Sequence, residues 1–173
     1  MASFGLNNSS QPASNTAAPT NVDSSTPFLA ASEGNLSLLQ SSLSILNLPP
    51  TITDDNGYNL LHAAASYSQL EIVRYLLSHV SGGDDGHNDV KYVHAGDNDG
   101  DTALHYAGTA DVARLLVEVG KLNPSQVNKQ GKTALQTKRE ELEETMQDED
   151  MEDDDEDLEV LQGVVEYLSS VAP

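Results

Sequence analysis

The sequence predicts an all-α fold, a solenoid of about four helix-turn-helix repeats with degenerate first and last repeats and a disordered N-terminal tail. Three observations predict it. One nine-residue phrase recurs three times, each copy is followed by apolar residues at helical spacing, and the segments that break the pattern are polar enough to be loops.

The phrase is Asp54-Asp55-Asn56-Gly57-Tyr58-Asn59-Leu60-Leu61-His62, echoed from Asp97 to His105 and again from Asn128 to Gln136. An Asp or Asn opens a tight turn, and Gly57, Gly100 or Gly131 follows three residues later, where the backbone needs positive φ. Two residues on, Asn59, Thr102 or Thr133 caps a helix, and Gln136 completes a capping-box pattern with Thr133. His62 and His105 hold the same slot as Gln136.

Taken in order, residues 1–25 are Ser, Asn, Ala, Thr and Pro with the single charge of Asp23; they bury too little apolar surface to offset their ordering entropy and read as a disordered tail. Residues 26–53 form an N-terminal capping repeat: Pro27 sits in the favoured first turn, and Leu38, Leu39 and Leu43 lie on the second helix. The repeat at 54–96 reads helix, tight turn, helix. Ala64 and Ala65 allow close helix approach, and Ile72, Val73, Leu76 and Leu77 form one face. The corresponding face in the repeat at 97–127 is Val112, Ala113, Leu116 and Val117. Residues 128–169 form a C-terminal capping repeat, in which Lys138 and Arg139 replace the packing alanines and predict a polar outer face; Val164, Val165 and Leu168 lie on its second helix.

Asp-x-x-Gly-x-Thr-x-Leu-His, two alanines and an Ile-Val-x-x-Leu-Leu helix together resemble the ankyrin repeat, over about 26–169. The resemblance implies stacked helix pairs, turns that project as fingers, and a concave face that binds other proteins. It also implies that His62 and His105 support neighbouring turns by hydrogen bonds and are neither metal ligands nor bases.

Three departures are individual to this chain. Gly57 and Gly100 lie 43 residues apart where about 33 is usual, which predicts an enlarged finger over 81–93 with Tyr92 near a contact surface. His105 precedes Val112 by seven residues where His62 precedes Ile72 by ten, so the third repeat has a shortened first helix or turn. The last repeat is split by an acidic loop over 147–157, in which nine of the ten residues from Asp148 to Asp157 are acids.

The net charge of −20 is concentrated: 14 of the 28 acids, and no Lys or Arg, lie between Glu140 and Glu159. Such a chain repels nucleic-acid backbone and anionic membrane and attracts basic partners. The acidic run supports three readings: a solubilising loop, a docking site for a basic client, or a cation sponge. Thr145, with Asp148 three residues on, also fits an acid-directed kinase. Without cysteine, glycine-rich phosphate loop, nucleophile–base pair or metal-ligand cluster, the chain reads as no enzyme, with no cofactor and no metal site. His87 and His94, among acids, fit a solvated finger better than an ion site.

Two functions follow. One is an adaptor that binds a protein partner through fingers and concave face. The alternative is an acidic escort for a basic, nucleic-acid-binding client, and the chain is similar in size and organisation to small fungal ankyrin proteins, among them a chaperone dedicated to a ribosomal protein. Candidate partner-binding residues are Tyr67, Arg74, His87, Tyr92, Asp99, Asp101, Asp148, Asp153, Asp154 and Asp155. A monomer is expected, binding neither nucleic acid nor membrane, in the cytoplasm and with the nucleus also open to it.

Overall fold

The computed structural model describes residues 22–81, 89–147 and 155–172. Among them lie eight helices: α1 (Thr26–Ser32), α2 (Leu36–Leu46), α3 (Leu60–Ser66), α4 (Leu70–Ser81), α5 (Asp89–Val93), α6 (Ala110–Glu118), α7 (Ala134–Gln147) and α8 (Asp155–Val171). Pairs α1/α2, α3/α4 and α7/α8 pack internally, and the stack is carried forward by α1 on α3, α4 on α6 and α6 on α8.

Local chemistry starts each element. The Asp23 carboxylate accepts the N–H groups of Ser25 (3.0 Å) and Thr26 (3.2 Å), and Pro27 occupies the first turn of α1. Residues 23–25 therefore belong to the first repeat, and the tail expected through residue 25 ends earlier; residues 1–21 lie outside the described residues. Asn35 caps α2 through the N–H of Leu38, Asn59 caps α3 through those of Leu61 and His62, and Thr109 caps α6 through that of Val112. In the fourth repeat the expected capping box forms: Gln136 Oε1 accepts the Thr133 N–H at 2.8 Å, and Thr133 Oγ1 accepts the Gln136 N–H at 3.3 Å.

The third repeat is shortened in its first helix. Residues 103–106 make only turns, with His105 N–H bonding the Thr102 carbonyl at 2.9 Å and Ala107 N–H the Leu104 carbonyl at 3.3 Å. Three missing residues bring Gly108 and the Thr109 cap forward before an α-helix can propagate. The neighbour compensates, because the Gly108 N–H bonds the Ala65 carbonyl at 3.0 Å.

The core is one cluster. Alanines 30, 31, 63, 64, 65, 103, 107 and 113 let neighbouring elements approach, while Leu39, Leu43, Ile72, Val73, Leu76, Leu77, Val112, Leu116, Val164 and Leu168 fill the space behind them.

Two expectations need correction. Tyr92 does not stand at a contact surface: it is 9% exposed, and its hydroxyl accepts the N–H of Leu61 at 3.2 Å, satisfying a donor in the first turn of α3. Burial pushes the Tyr92 hydroxyl far above the usual phenol range. The end of the expected finger over 81–93 is thus α5, which packs on α4 because Tyr92 and Val93 are apolar enough to join the core; residues 82–88 lie outside the described residues. Lys138 is the second. It does not give α7 a wholly polar face, because its stem is buried and only its ammonium reaches Glu141, at 2.7 Å. Arg139 is exposed and donates to Ser169 Oγ at 3.2 Å. The ends of the expected acidic loop are helical, α7 running to Gln147 and α8 starting at Asp155, while 148–154 lie outside the described residues.

Tyr92→Phe keeps the ring and removes one of two acceptors of the Leu61 N–H, the other being Asn59 Oδ1 at 2.9 Å, so it should cost about 0.5–1 kcal/mol, whereas Tyr92→Ala should cost roughly 3–5 kcal/mol. Urea unfolding at neutral pH measures both; a Phe variant as stable as the parent would deny the hydroxyl its capping role.

Candidate partner-binding face

Each finger is closed by its first residue. Asp54 Oδ1 accepts the N–H groups of Asn56 (2.9 Å) and Tyr58 (2.8 Å), Asp97 Oδ1 those of Asp99 (2.9 Å) and Asp101 (3.0 Å), and Asn128 Oδ1 those of Gln130 and Lys132 (both 3.0 Å). Antiparallel bridges between Thr53 and Asn59 and between Val127 and Thr133 narrow the base of the second and fourth fingers. The tips are then tied in a row: the Asn98 N–H donates to the Asn56 carbonyl at 2.7 Å, and the Lys129 N–H to the Asp99 carbonyl at 2.8 Å. Gly100, at φ +81°, shows why the phrase needs glycine, since a Cβ there would lie 3.0 Å from the backbone nitrogen of Lys129.

The histidines join one repeat to the next. His62 Nδ1 accepts the Asn59 N–H at 3.0 Å, which leaves the ring proton on Nε2, and Nε2 donates to the Asp101 carbonyl at 2.9 Å, 39 residues away. His105 repeats the pattern, accepting from Thr102 N–H at 3.1 Å and donating to the Lys132 carbonyl at 3.2 Å. Burial depresses the pKa of His62, outweighing the opposing pull of the Asp101 carbonyl and of the carboxylates of Asp97, Asp101 and Asp54. Around it, Tyr58 stacks on the imidazole at 5.3 Å, and Tyr106 meets both rings edge-on. The Tyr106 hydroxyl donates to Asp97 Oδ2 at 2.7 Å. At Asp97 burial works upward, but that bond and the N–H groups of Asp99 and Asp101 win and hold the carboxyl below its usual range.

Between the first repeat and the second finger lies a groove of about 800 Å³. Phe28, Leu29, Ala63, Tyr58 and Tyr67 give it an apolar and aromatic lining, and Asp54 and Asp55 stand among the residues that line it. Leu29 is 53% exposed and Tyr67 63%, so both offer unburied apolar area there. The acids meet no local base: the first 73 residues contain five acids and neither Lys nor Arg. A second groove, of about 560 Å³, lies between α2 and α4 beside Pro49, Pro50, Tyr75 and His79, and carries no acid or Lys or Arg.

A model of ankyrin repeats matches residues 28–122 in three copies. The chain belongs to the ankyrin-repeat family. Ankyrin repeats are a non-catalytic interaction fold, and this chain is a protein-interaction module. A comparison with curated protein sequences finds no match. Among solved structures, the chain is similar to the ankyrin-repeat chaperone in the crystal structure of the yeast ribosomal protein Rps3 in complex with its chaperone Yar1. The identity is 29% and the TM-score 0.57, over 75% of this chain and 95% of that chain. Among the described residues no helix is long and apolar enough to cross a membrane.

The structure separates the sequence-derived candidates. Tyr67 lines the groove, and Asp99 is exposed at the tip of the third finger. Asp101 is half-buried and serves the stack, its carboxylate accepting from Asn128 Nδ2 at 2.7 Å. Arg74 is exposed on α4 but lines neither groove, and Tyr92 is in the core. His87, Asp148, Asp153 and Asp154 lie outside the described residues, and of Asp155 only the backbone, opening α8, is within them. Sequence reasoning missed Phe28, Leu29 and Tyr58. A signal existed for Leu29: aligning Ala30 on Ala64 sets it opposite Ala63, a position that needs no large core residue.

Because the folded pKa of His62 lies below its unfolded value near 6.5, the unfolded chain binds the extra proton. Its contribution to stability is therefore present above about pH 6.5 and is lost as pH falls below that toward the folded pKa. The urea midpoint should fall between about pH 7.5 and 5.5, a window above the titration of ordinary carboxylates, and His62→Gln should flatten that part of the profile. An unchanged slope in the variant would assign the effect elsewhere.

Proposed function

We propose that this ankyrin protein escorts a basic, nucleic-acid-binding client, holding it on the concave face while its acids occupy client surface that would otherwise meet nucleic acid. The observation that carries the reading is the groove of Phe28, Leu29, Tyr58 and Tyr67 beside Asp54 and Asp55, in a stretch of chain without a base. An apolar lining supplies affinity for an exposed hydrophobic anchor, and unpaired acids select a positively charged segment and speed its encounter. The likeness to Yar1, the chaperone of the ribosomal protein Rps3, supports a client of this kind.

On this reading the repeat units are 26–53, 54–96, 97–127 and 128–169. Tyr67 and Asp99 contact the client with Leu29, Phe28 and Asp55, and the run containing Asp148, Asp153, Asp154 and Asp155 adds a second attraction. The protein acts as a monomer without catalysis, binding neither nucleic acid nor membrane, in the cytoplasm and, given its size, in the nucleus. The second reading, a plain adaptor in which the acidic run only confers solubility, is favoured by the placement of the apolar groove at the opposite end of the chain from that run.

Rps3 is a suitable probe. Its binding to the full chain should weaken steeply between about 0.05 and 0.5 M salt, the range over which surface attraction is screened. Leu29→Asp with Tyr67→Ala should weaken it by at least about tenfold without lowering thermal stability, since both side chains are exposed. Salt-independent binding that survives removal of 147–157 would instead establish the adaptor.

A further inference from the structure

Six hydroxyl residues have an acid three positions on, the pattern an acid-directed serine/threonine kinase reads: Thr20, Thr51, Ser68, Ser81, Thr137 and Thr145. The fold distinguishes them. Ser68 sits in a tight turn at φ +56°, the Thr137 hydroxyl is buried, and Thr145 donates its hydroxyl to the Glu141 carbonyl inside α7 at 2.8 Å. The side chains of Thr20 and Ser81 lie outside the described residues.

Thr51 differs from these in lying outside any helix and carrying a free hydroxyl. It sits in a turn at Pro50–Thr51 between α2 and the second finger, half-buried, and its hydroxyl has no hydrogen-bond partner among the described residues. No helix holds Pro49, Pro50 or Thr51, so only the turn at Pro50–Thr51 must open for this stretch to enter a kinase cleft. Pro49 and Pro50 bias only Leu48 and Pro49, ahead of that turn, toward extended backbone. Asp54 and Asp55, three and four residues on, are both exposed.

We propose that Thr51 is a phosphorylation site for an acid-directed kinase, and that its phosphate adds to the acids beside the concave groove and tightens a basic client; the second half rests on the client reading above. The kinase supplies ATP. Its base takes the Thr51 hydroxyl proton, Oγ bonds to the γ-phosphorus, and the bond to the bridging oxygen breaks to release ADP. The product adds roughly −1.5 to −2 charges, three residues before Asp54 and two before Thr53, which both line the groove.

The test incubates the full chain with casein kinase 2 and ATP and maps the product by mass spectrometry. Phosphate should appear at Thr51 and vanish from that site in Thr51→Val. It should form about tenfold more slowly in Asp54→Asn with Asp55→Asn, in which charge recognition is lost. Asn serves in that turn, as Asn128 does in the fourth finger, so the double variant keeps the fold. Phosphate confined to other hydroxyls would overturn the site. Phosphorylated chain should then bind Rps3 about fivefold more tightly at low salt, converging with unmodified chain at high salt. Equal affinity at low salt would overturn the regulatory half. Failure of the unmodified chain to bind Rps3 would overturn the client reading, while the mapped phosphate still decides Thr51.

Discussion

A neutral imidazole, stripped of water and bonded on both nitrogens, is the constraint on which this stack depends. His62 must present a bare Nδ1 to the Asn59 N–H and a protonated Nε2 to the Asp101 carbonyl, so a single tautomer closes a helix cap and fastens the next repeat. A buried N–H or carbonyl left without a partner costs about as much as the bond is worth, and here both partners are backbone groups. His105 repeats the device between the third and fourth units. Because the acceptor each time is a finger carbonyl of the following repeat, the fingers are held in line by the core rather than by contacts at their tips alone. The tip bonds, Asn98 to Asn56 and Lys129 to Asp99, complete a row whose spacing the histidines set.

That frame explains how the third repeat survives without a proper first helix. A two-turn helix contributes few hydrogen bonds and buries one face, so its loss matters less than loss of its endpoints would. Both endpoints are kept: the Thr102–His105 pair at its start, and the Gly108–Ala65 bond with the Thr109 cap at its end. Ala103, Leu104 and Ala107 remain buried through simple turns. The insertion before this repeat adds to the core of the second, since α5 packs on α4 and buries Tyr92 and Val93.

Most of this was legible in the sequence because the repeat phrase is local chemistry: a turn-opening Asp, a glycine with positive φ and a capping side chain act within nine residues. The departures were legible as to place but not as to content. Tyr92 was read as a surface aromatic because it follows a polar insertion, yet the contact that decides it, the Leu61 N–H, lies 31 residues earlier. Lys138 was read from its charge, although its methylene stem suits the slot that alanines fill elsewhere. The groove was the least legible feature, for Phe28 and Tyr58 are ordinary apolar residues until the first repeat and the second finger are brought together. Exposure of Leu29 is a property of the assembled stack.

The densest run of acids and the apolar groove belong to opposite ends of the chain, with only Asp54 and Asp55 beside the groove. The acids of 140–159 act over about a Debye length, a range at which charge is felt by sign more than by shape, so alone they would attract basic chains with little discrimination. Selectivity must come from short-range fit, which the described structure offers between the first repeat and the second finger, where a hydrophobic anchor can be enclosed and its flanking cations matched. On the escort reading, a client with both features would be held at two points, and the second contact would form at the effective concentration set by the first. A basic chain without the anchor would gain only the screened attraction. On that reading, the order of the repeats would convert a general affinity for positive charge into a preference for one kind of positively charged protein.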